Sequence, residues 1–341
     1  MRIEFPEDIV VKQVRYSPDK SALGKVTSDS IFRISDKDGM QEIQTGDDIF
    51  DFDFYPAFSE SVPESRAVLI ASRNRPMRIF SVAQKSVISA YTAYSFTEEI
   101  VHPISVRFSP TSCARILAGF PQSTVRVWDV QRPGRQSEDL VFSTKRRQRS
   151  DAQKGIISAI EFGHSDEDFF AGSYSSSIWY YDLRTDWRSS RTLIGDNVRF
   201  GGVVQLKFIP TRQLLLSGHR MDACVYGWDL RKPDSPLAEF PRIVKTNQRF
   251  EFDAIEDQFL VCGDHEGRLR VMDLTDPTRI PKEIDKNGVP LVSVSVGSGQ
   301  IACGYGVRSF EPVGSEDDSE DGGDSKPRRP RSVVLVRPFH I

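Results

Sequence analysis

Strand-like runs ending in an aromatic or apolar residue recur along this chain at nearly constant spacing, and that period limits the possible folds more than any other feature. The runs are Ser30-Ile31-Phe32-Arg33-Ile34, Met77-Arg78-Ile79-Phe80, Thr124-Val125-Arg126-Val127-Trp128-Asp129, Ile178-Trp179-Tyr180-Tyr181-Asp182, Val225-Tyr226-Gly227-Trp228-Asp229 and Leu269-Arg270-Val271-Met272-Asp273. Between Ile34, Phe80, Trp128, Tyr181, Trp228 and Met272 the intervals are 46, 48, 53, 47 and 44 residues. A short apolar run ending in a small residue and glycine precedes most of them: Ala118-Gly119, Ala171-Gly172, Ser217-Gly218, Cys262-Gly263 and, near the end, Cys303-Gly304. Further upstream an alternating strand runs into a turn, as in Val14-Arg15-Tyr16-Ser17-Pro18, Val106-Arg107-Phe108-Ser109-Pro110 and Leu206-Lys207-Phe208-Ile209-Pro210. Alternation at period two, closed by Pro, Gly or Asp, is the pattern of strands and turns. Three such markers in fixed order, at roughly the 40–45 residues of a four-stranded propeller blade, predict an all-β, seven-bladed β-propeller. The blades are expected at 9–40, 47–92, 101–142, 154–195, 201–241, 247–282 and 288–338. The small residue and glycine fit wedge-shaped blades that crowd toward a central channel.

The propeller is of the WD-repeat kind, with departures. Trp128-Asp129 and Trp228-Asp229 are literal WD pairs, whereas Tyr181-Asp182 and Met272-Asp273 are degenerate. Gly163-His164 and Gly218-His219 lie away from the usual Gly-His position, so the Asp-His-Ser-Trp hydrogen-bond chain of such repeats is not expected intact in most blades. Residues 1–341 read as a single propeller whose last blade carries an acidic loop at 315–326, with six acidic residues and two glycines. That composition cannot bury a core and predicts a disordered insertion. Ring closure is expected to lay the N-terminal segment beside the C-terminal strand, removing exposed sheet edges.

A net charge of −3 excludes a surface that coats nucleic acid or membrane over its whole area, so any such contact must come from a patch. Cys113, Cys224, Cys262 and Cys303 show no CxxC spacing and sit in apolar runs, the pattern of buried thiols in a reducing compartment. Residues 1–11 lack the apolar run of a signal peptide, and no segment approaches the roughly 18 apolar residues of a membrane helix. A soluble intracellular protein with no membrane partner is expected. The five histidines form no HExxH or ligand cluster, and no GxSxG or phosphate loop is present. His265 beside Asp264 and Glu266 reads as a solvated turn, and Asp51 and Asp53 as carboxylates flanking a strand. The expectation is a non-enzymatic protein with no cofactor, metal or small-molecule substrate.

Binding is then the natural work of the loops. From Gln131 to Gly155 there are seven Lys or Arg (Arg132, Arg135, Lys145, Arg146, Arg147, Arg149, Lys154) against three acids. This connector between the third and fourth blades suits a polyanion, and equally a solvated loop. Asn247, Gln248 and Arg249, entering the sixth blade, combine amides that can read base edges with a guanidinium that can stack or hold phosphate. Arg73-Asn74-Arg75, His219-Arg220 and Arg199-Phe200 fall at turns and would extend the same field.

With these residues laid out, the chain resembles the telomerase Cajal body protein family. The resemblance rests on Arg132-Pro133-Gly134-Arg135, the basic segment and Gly155-Ile156-Ile157-Ser158, and on Thr246-Asn247-Gln248-Arg249 with Phe252-Asp253. Gly172-Ser173-Tyr174-Ser175, Gly46-Asp47-Asp48-Ile49-Phe50-Asp51 and Val307-Arg308-Ser309-Phe310 before the acidic insertion add to it. Animal members carry a long extension before the propeller, whereas here the first blade is expected almost at Met1, so nothing housed in that extension is carried over. The resemblance implies a nuclear protein, in Cajal bodies or nucleoplasm. It implies recognition of small Cajal-body (H/ACA-type) RNAs, or other structured small nuclear RNA and telomerase RNA, and help in their ribonucleoprotein assembly. Lys326-Pro327-Arg328-Arg329-Pro330-Arg331 suits nuclear import. The alternative is a scaffold for splicing or ribonucleoprotein assembly proteins with no direct RNA contact.

Overall fold

The computed structural model describes the chain apart from residues 96, 142–151, 186–190, 195–199, 287, 308–331 and 340–341; of 191–194 and 285–286 it describes the backbone. The period-two segments pair as seven sheets, each built around four antiparallel strands. The inner strand of each begins a blade: Val11–Tyr16, Ile49–Phe54, Ser105–Phe108, Ile157–Phe162, Val203–Ile209, Phe252–Ile255 and Leu291–Val296. The seventh sheet takes its outer strand from the other end of the chain, Arg2–Glu4 pairing with Val333–Pro338. The second is extended at its outer edge, where Ile100–Val101 and Gly134–Arg135 both pair with Ser86–Tyr94. The acidic segment 315–326 and the basic run Lys326–Arg331 lie outside the described residues.

The apolar core is divided among the gaps between blades. Phe32, Phe52 and Phe54 fill the first gap, and Trp128 packs with Leu69 and Tyr91 in the second. The clusters continue around to Val11, Val14 and Ala302, which join the seventh blade to the first and close the ring. The small residue and glycine that recur on the second strands make room for the neighbouring blade, as crowding between wedge-shaped blades requires. A Cβ at Gly119 would stand 2.6 Å from the Ile157 carbonyl, and one at Gly263 2.2 Å from that of Leu291, each on the next inner strand.

Blade pinning departs from the usual chain. Trp228 Nε1 donates to Ser217 Oγ at 2.9 Å, and Ser217 lies 2.9 Å from His219 Nε2. His219 Nδ1 is 2.7 Å from the Gly201 carbonyl, an acceptor, so Nδ1 carries the proton and Nε2 accepts from the serine. Burial lowers the His219 pKa, which keeps the ring neutral for this role. His219 is therefore a buried pin, not a turn residue free for a ligand, and Phe200, packed on Tyr226 and Trp228, is likewise core. In the fourth blade Tyr181 donates to Gln153 Oε1 at 3.0 Å, and Gln153 Nε2 reaches the Ala171 carbonyl at 2.8 Å.

Two tiers of side chains from the inner strands face the channel. In the second tier Arg15, Asp53, Arg107, Glu161, Lys207, Asp253 and Ser295 follow one another from the first blade to the seventh. Charge alternates around the ring until the neutral serine, the odd member that seven blades require. Arg15 pairs with Asp53 at 3.8 Å, Arg107 with Glu161 at 3.9 Å and Lys207 with Asp253 at 2.7 Å. Each acid also accepts a backbone N–H from the following inner strand: Phe108 at 2.9 Å, Phe208 at 3.2 Å and Val296 at 2.8 Å. In the first tier Asp51 is fully buried and meets Arg107 at 2.9 Å and the Val106 N–H at 3.1 Å. Asp51 and Asp53 thus lie within the inner strand Ile49–Phe54 instead of flanking one, and their partners sit on neighbouring blades, out of reach of any local pattern.

Candidate functional site

Bulges interrupt the pairing at the start of several inner strands. The register shifts between Val11 and Gln13 and between Ile49 and Asp51, so Lys12 and Phe50 are each an extra residue turned out of the ladder. Both line a cavity of about 280 Å³ where the inner strands begin. The turns after the second strands supply Arg73, Tyr174 and Arg220 to the same cavity. Backbone bonds hold these turns in place: Arg73 N to Asp48 O at 2.8 Å, Tyr174 N to Ile156 O at 2.9 Å and Arg220 N to Gly202 O at 2.9 Å. The segment before the sixth blade adds Asn247, Gln248 and Arg249.

The lining sets four cations, Lys12, Arg73, Arg220 and Arg249, against one acid, Asp48, which Lys12 pairs with. Arg249 is held from below, its Nε 3.1 Å from Glu251, which also accepts from Gln13 at 3.0 Å and Ser293 at 3.0 Å. Burial would raise the Asp51 pKa, yet Arg107, Arg249 and Arg15 outweigh it and hold it at about 2. The acid stays charged and keeps these guanidiniums in place. Phe50 stacks on His102 with centroids 5.1 Å apart and planes 9° from parallel, and the Arg73 guanidinium lies 5.5 Å from the Phe50 centroid. Arg220 lies 3.7 Å from the Tyr174 ring centre, with Nη2 2.5 Å from the phenol oxygen. Burial and Arg73 lower the pKa of His102, leaving a neutral plane at neutral pH. Positive charge, flat rings and amides in one recess suit a polyanion with unstacked bases.

Among the residues expected from sequence, Asn247, Gln248 and Arg249 meet Arg73 and Arg220 here. Gln248 already spends an amide N–H on the Gly306 carbonyl at 3.3 Å, and Asn247 is exposed. Arg132 is not part of this recess; it lies exposed in the turn of the third blade, 3.7 Å from Asp129. Arg135 is on the outer edge of the second blade, 5.5 Å from the Tyr94 ring centre and 3.6 Å from Glu98. Lys154 is half-buried ahead of the fourth blade, and Lys145, Arg146, Arg147 and Arg149 lie outside the described residues, as does Arg199. Lys12, Phe50, Tyr174 and His102 escaped the sequence reading of the site. Phe50 and Tyr174 stand within motifs that carried the resemblance, which was their available signal; Lys12 and His102 carried none.

No protein-family model matches the chain. It is 34% identical over 292 residues to Telomerase Cajal body protein 1 of Mesocricetus auratus, covering 82% of this chain and 52% of that protein. To Telomerase Cajal body protein 1 of Homo sapiens it is 31% identical over 346 residues, 93% of this chain and 61% of that one. To the Drosophila melanogaster homolog it is 29% identical over 259 residues, 73% of this chain and 45% of the other. The chain thus spans about half to three-fifths of the length of these curated relatives.

Proposed function

Since the chain belongs to the telomerase Cajal body protein family, we propose that it is a non-enzymatic RNA-binding scaffold whose binding site is the channel mouth. Its ligand is an unstacked loop of a small Cajal-body (H/ACA-type) RNA, with telomerase RNA in the same class, and it assists nuclear localisation and ribonucleoprotein assembly of that RNA. One observation carries the reading. Four cations, two aromatic rings and an amide pair, scattered from Lys12 to Arg249 in sequence, meet in one recess beside a single acid. Phosphates take the guanidiniums and Lys12, while bases stack on Phe50 and Tyr174 and offer edges to Asn247 and Gln248. The connector Lys145, Arg146, Arg147 and Arg149 follows the third blade and supplies further phosphate contacts.

Charge reversal tests this. Arg73→Glu with Arg220→Glu is expected to cut RNA recovered by crosslinking at least tenfold, and the parent's affinity should fall with salt at a log–log slope of about −3 from the four channel-mouth contacts, steeper with those of the connector. Unchanged RNA recovery and a flat salt response from about 50 to 200 mM would overturn the proposal in favour of a scaffold that holds splicing or ribonucleoprotein proteins without RNA.

A further inference from the structure

A second cavity, of about 160 Å³, opens beside the first in the gap between the second and third blades. It is smaller than the roughly 300–1,000 Å³ of sites for larger ligands, and suits one planar ring system. The two are separated by a stacked pair, for Phe50 lines the channel mouth and His102 the second cavity. Ile100, Phe120 and Pro121 give it apolar walls, and Asn74 and Gln122 place amides at its side.

Arg126 enters this cavity from the third strand of the third blade. Its side chain is only 10% exposed, with Nε 3.0 Å from Asp139 and the guanidinium carbon 4.8 Å from the Phe120 ring centre. Among the described residues its Nη1 has no hydrogen-bond partner. A buried guanidinium N–H left unmatched is costly, and an acceptor in the cavity would satisfy it. Burial is also the main reason that the Arg126 pKa is lowered, with Arg135 acting in the same direction.

We propose that this cavity receives a single flipped-out nucleobase of the bound RNA, seated against Phe120 and His102, with Arg126 donating to its carbonyl edge. This rests on the RNA-binding reading of the channel mouth and adds a separate base-specific subsite. A donor-only guanidinium selects guanine O6 or uracil O4 over the amino groups that adenine and cytosine carry at those positions. The subsite also links the channel mouth to Arg135 of the connector. Ile100 pairs with Tyr94, the ring beneath Arg135, so the backbone leaving the pocket meets Arg135 on the outer edge.

The probe is a pool of hairpin RNAs with a randomised loop containing 4-thiouridine, bound to the whole protein. Ile100→Trp at a half-exposed wall position is expected to weaken retention of the pool about tenfold, the scale of one lost base contact. Ile280→Trp, at a position 90% exposed on the sixth blade, is the control for folding and surface effects. Crosslinks should appear on the peptide holding Phe120 as well as on those with Phe50 and Tyr174, and sequencing the retained pool should show adenine depleted at one loop position for the parent but not for Ile100→Trp. Retention unchanged by Ile100→Trp, with crosslinks confined to the Phe50 and Tyr174 peptides, would overturn the subsite and leave the channel-mouth reading standing. A parent protein that retains none of the pool overturns both.

Discussion

Glu161 is a carboxylate doing what a neutral amide does one blade further on. It accepts the Phe208 N–H at 3.2 Å, and Gln205 Oε1 accepts the Phe252 N–H at 2.8 Å. The difference is charge. Burial raises the pKa of Glu161 above its ordinary 4.5, and Arg107 and Lys207 only partly offset this. In the pH range from about 4.5 up to that raised value, the folded state holds a proton that the unfolded chain has lost. Stability attributable to Glu161 is therefore fully present below 4.5 and is lost as pH rises through the folded pKa. Glu161→Gln keeps the acceptor and removes this dependence. Urea midpoints at pH 4.5 and pH 7 should show a smaller fall for the variant than for the parent. An identical fall would mean that Glu161 is not the titrating group.

At the scale of the strand, close approach between blades outweighs β-propensity. Gly263 ends the second strand of its sheet, paired with Leu269, and is glycine because a Cβ there would be 2.2 Å from the Leu291 carbonyl. Gly263→Ala should destabilise by about 1–3 kcal/mol through overpacking, read from the urea midpoint. Gly227→Ala is the contrast, since its nearest contact would be the Phe240 ring edge at 3.3 Å and the ring can shift; its cost should stay below about 1 kcal/mol. The same comparison explains what was legible in the chain. Strands, their order and the recurring glycine are written in local alternation and spacing, so they could be read. The pins were not readable as such. Gln153 looked like part of a basic connector and His219 like a turn, because each acts on a partner that only the folded blade brings near, Tyr181 and Ser217.

Over the whole molecule, closure is what turns local elements into a site. Asn247, Gln248 and Arg249 were visible as one short run of binding residues, whereas Lys12, Phe50, Tyr174 and Arg220 become neighbours only when seven inner strands share a channel. Their convergence depends on the ring holding the first and sixth blades at a fixed separation: Glu251 under Arg249 bonds Gln13 of the first blade and Ser293 of the seventh. The ring in turn is closed by few residues. Arg2, Ile3 and Glu4 pair with Leu335, Val334 and Val333, Phe5 N reaches Ser332 O at 3.0 Å, and the Phe5 ring is buried. Deleting residues 1–5 would strip that strand from Val333–Pro338 and expose a paired edge. The truncated protein should lose several degrees in thermal midpoint and associate as concentration rises, which light scattering would follow. Its RNA retention should fall although no residue of the channel mouth has been removed. A truncated protein that stays monomeric with the parent's thermal midpoint would show that the apolar contacts between the seventh and first blades, Val11 and Val14 against Ala302, close the ring without the strand.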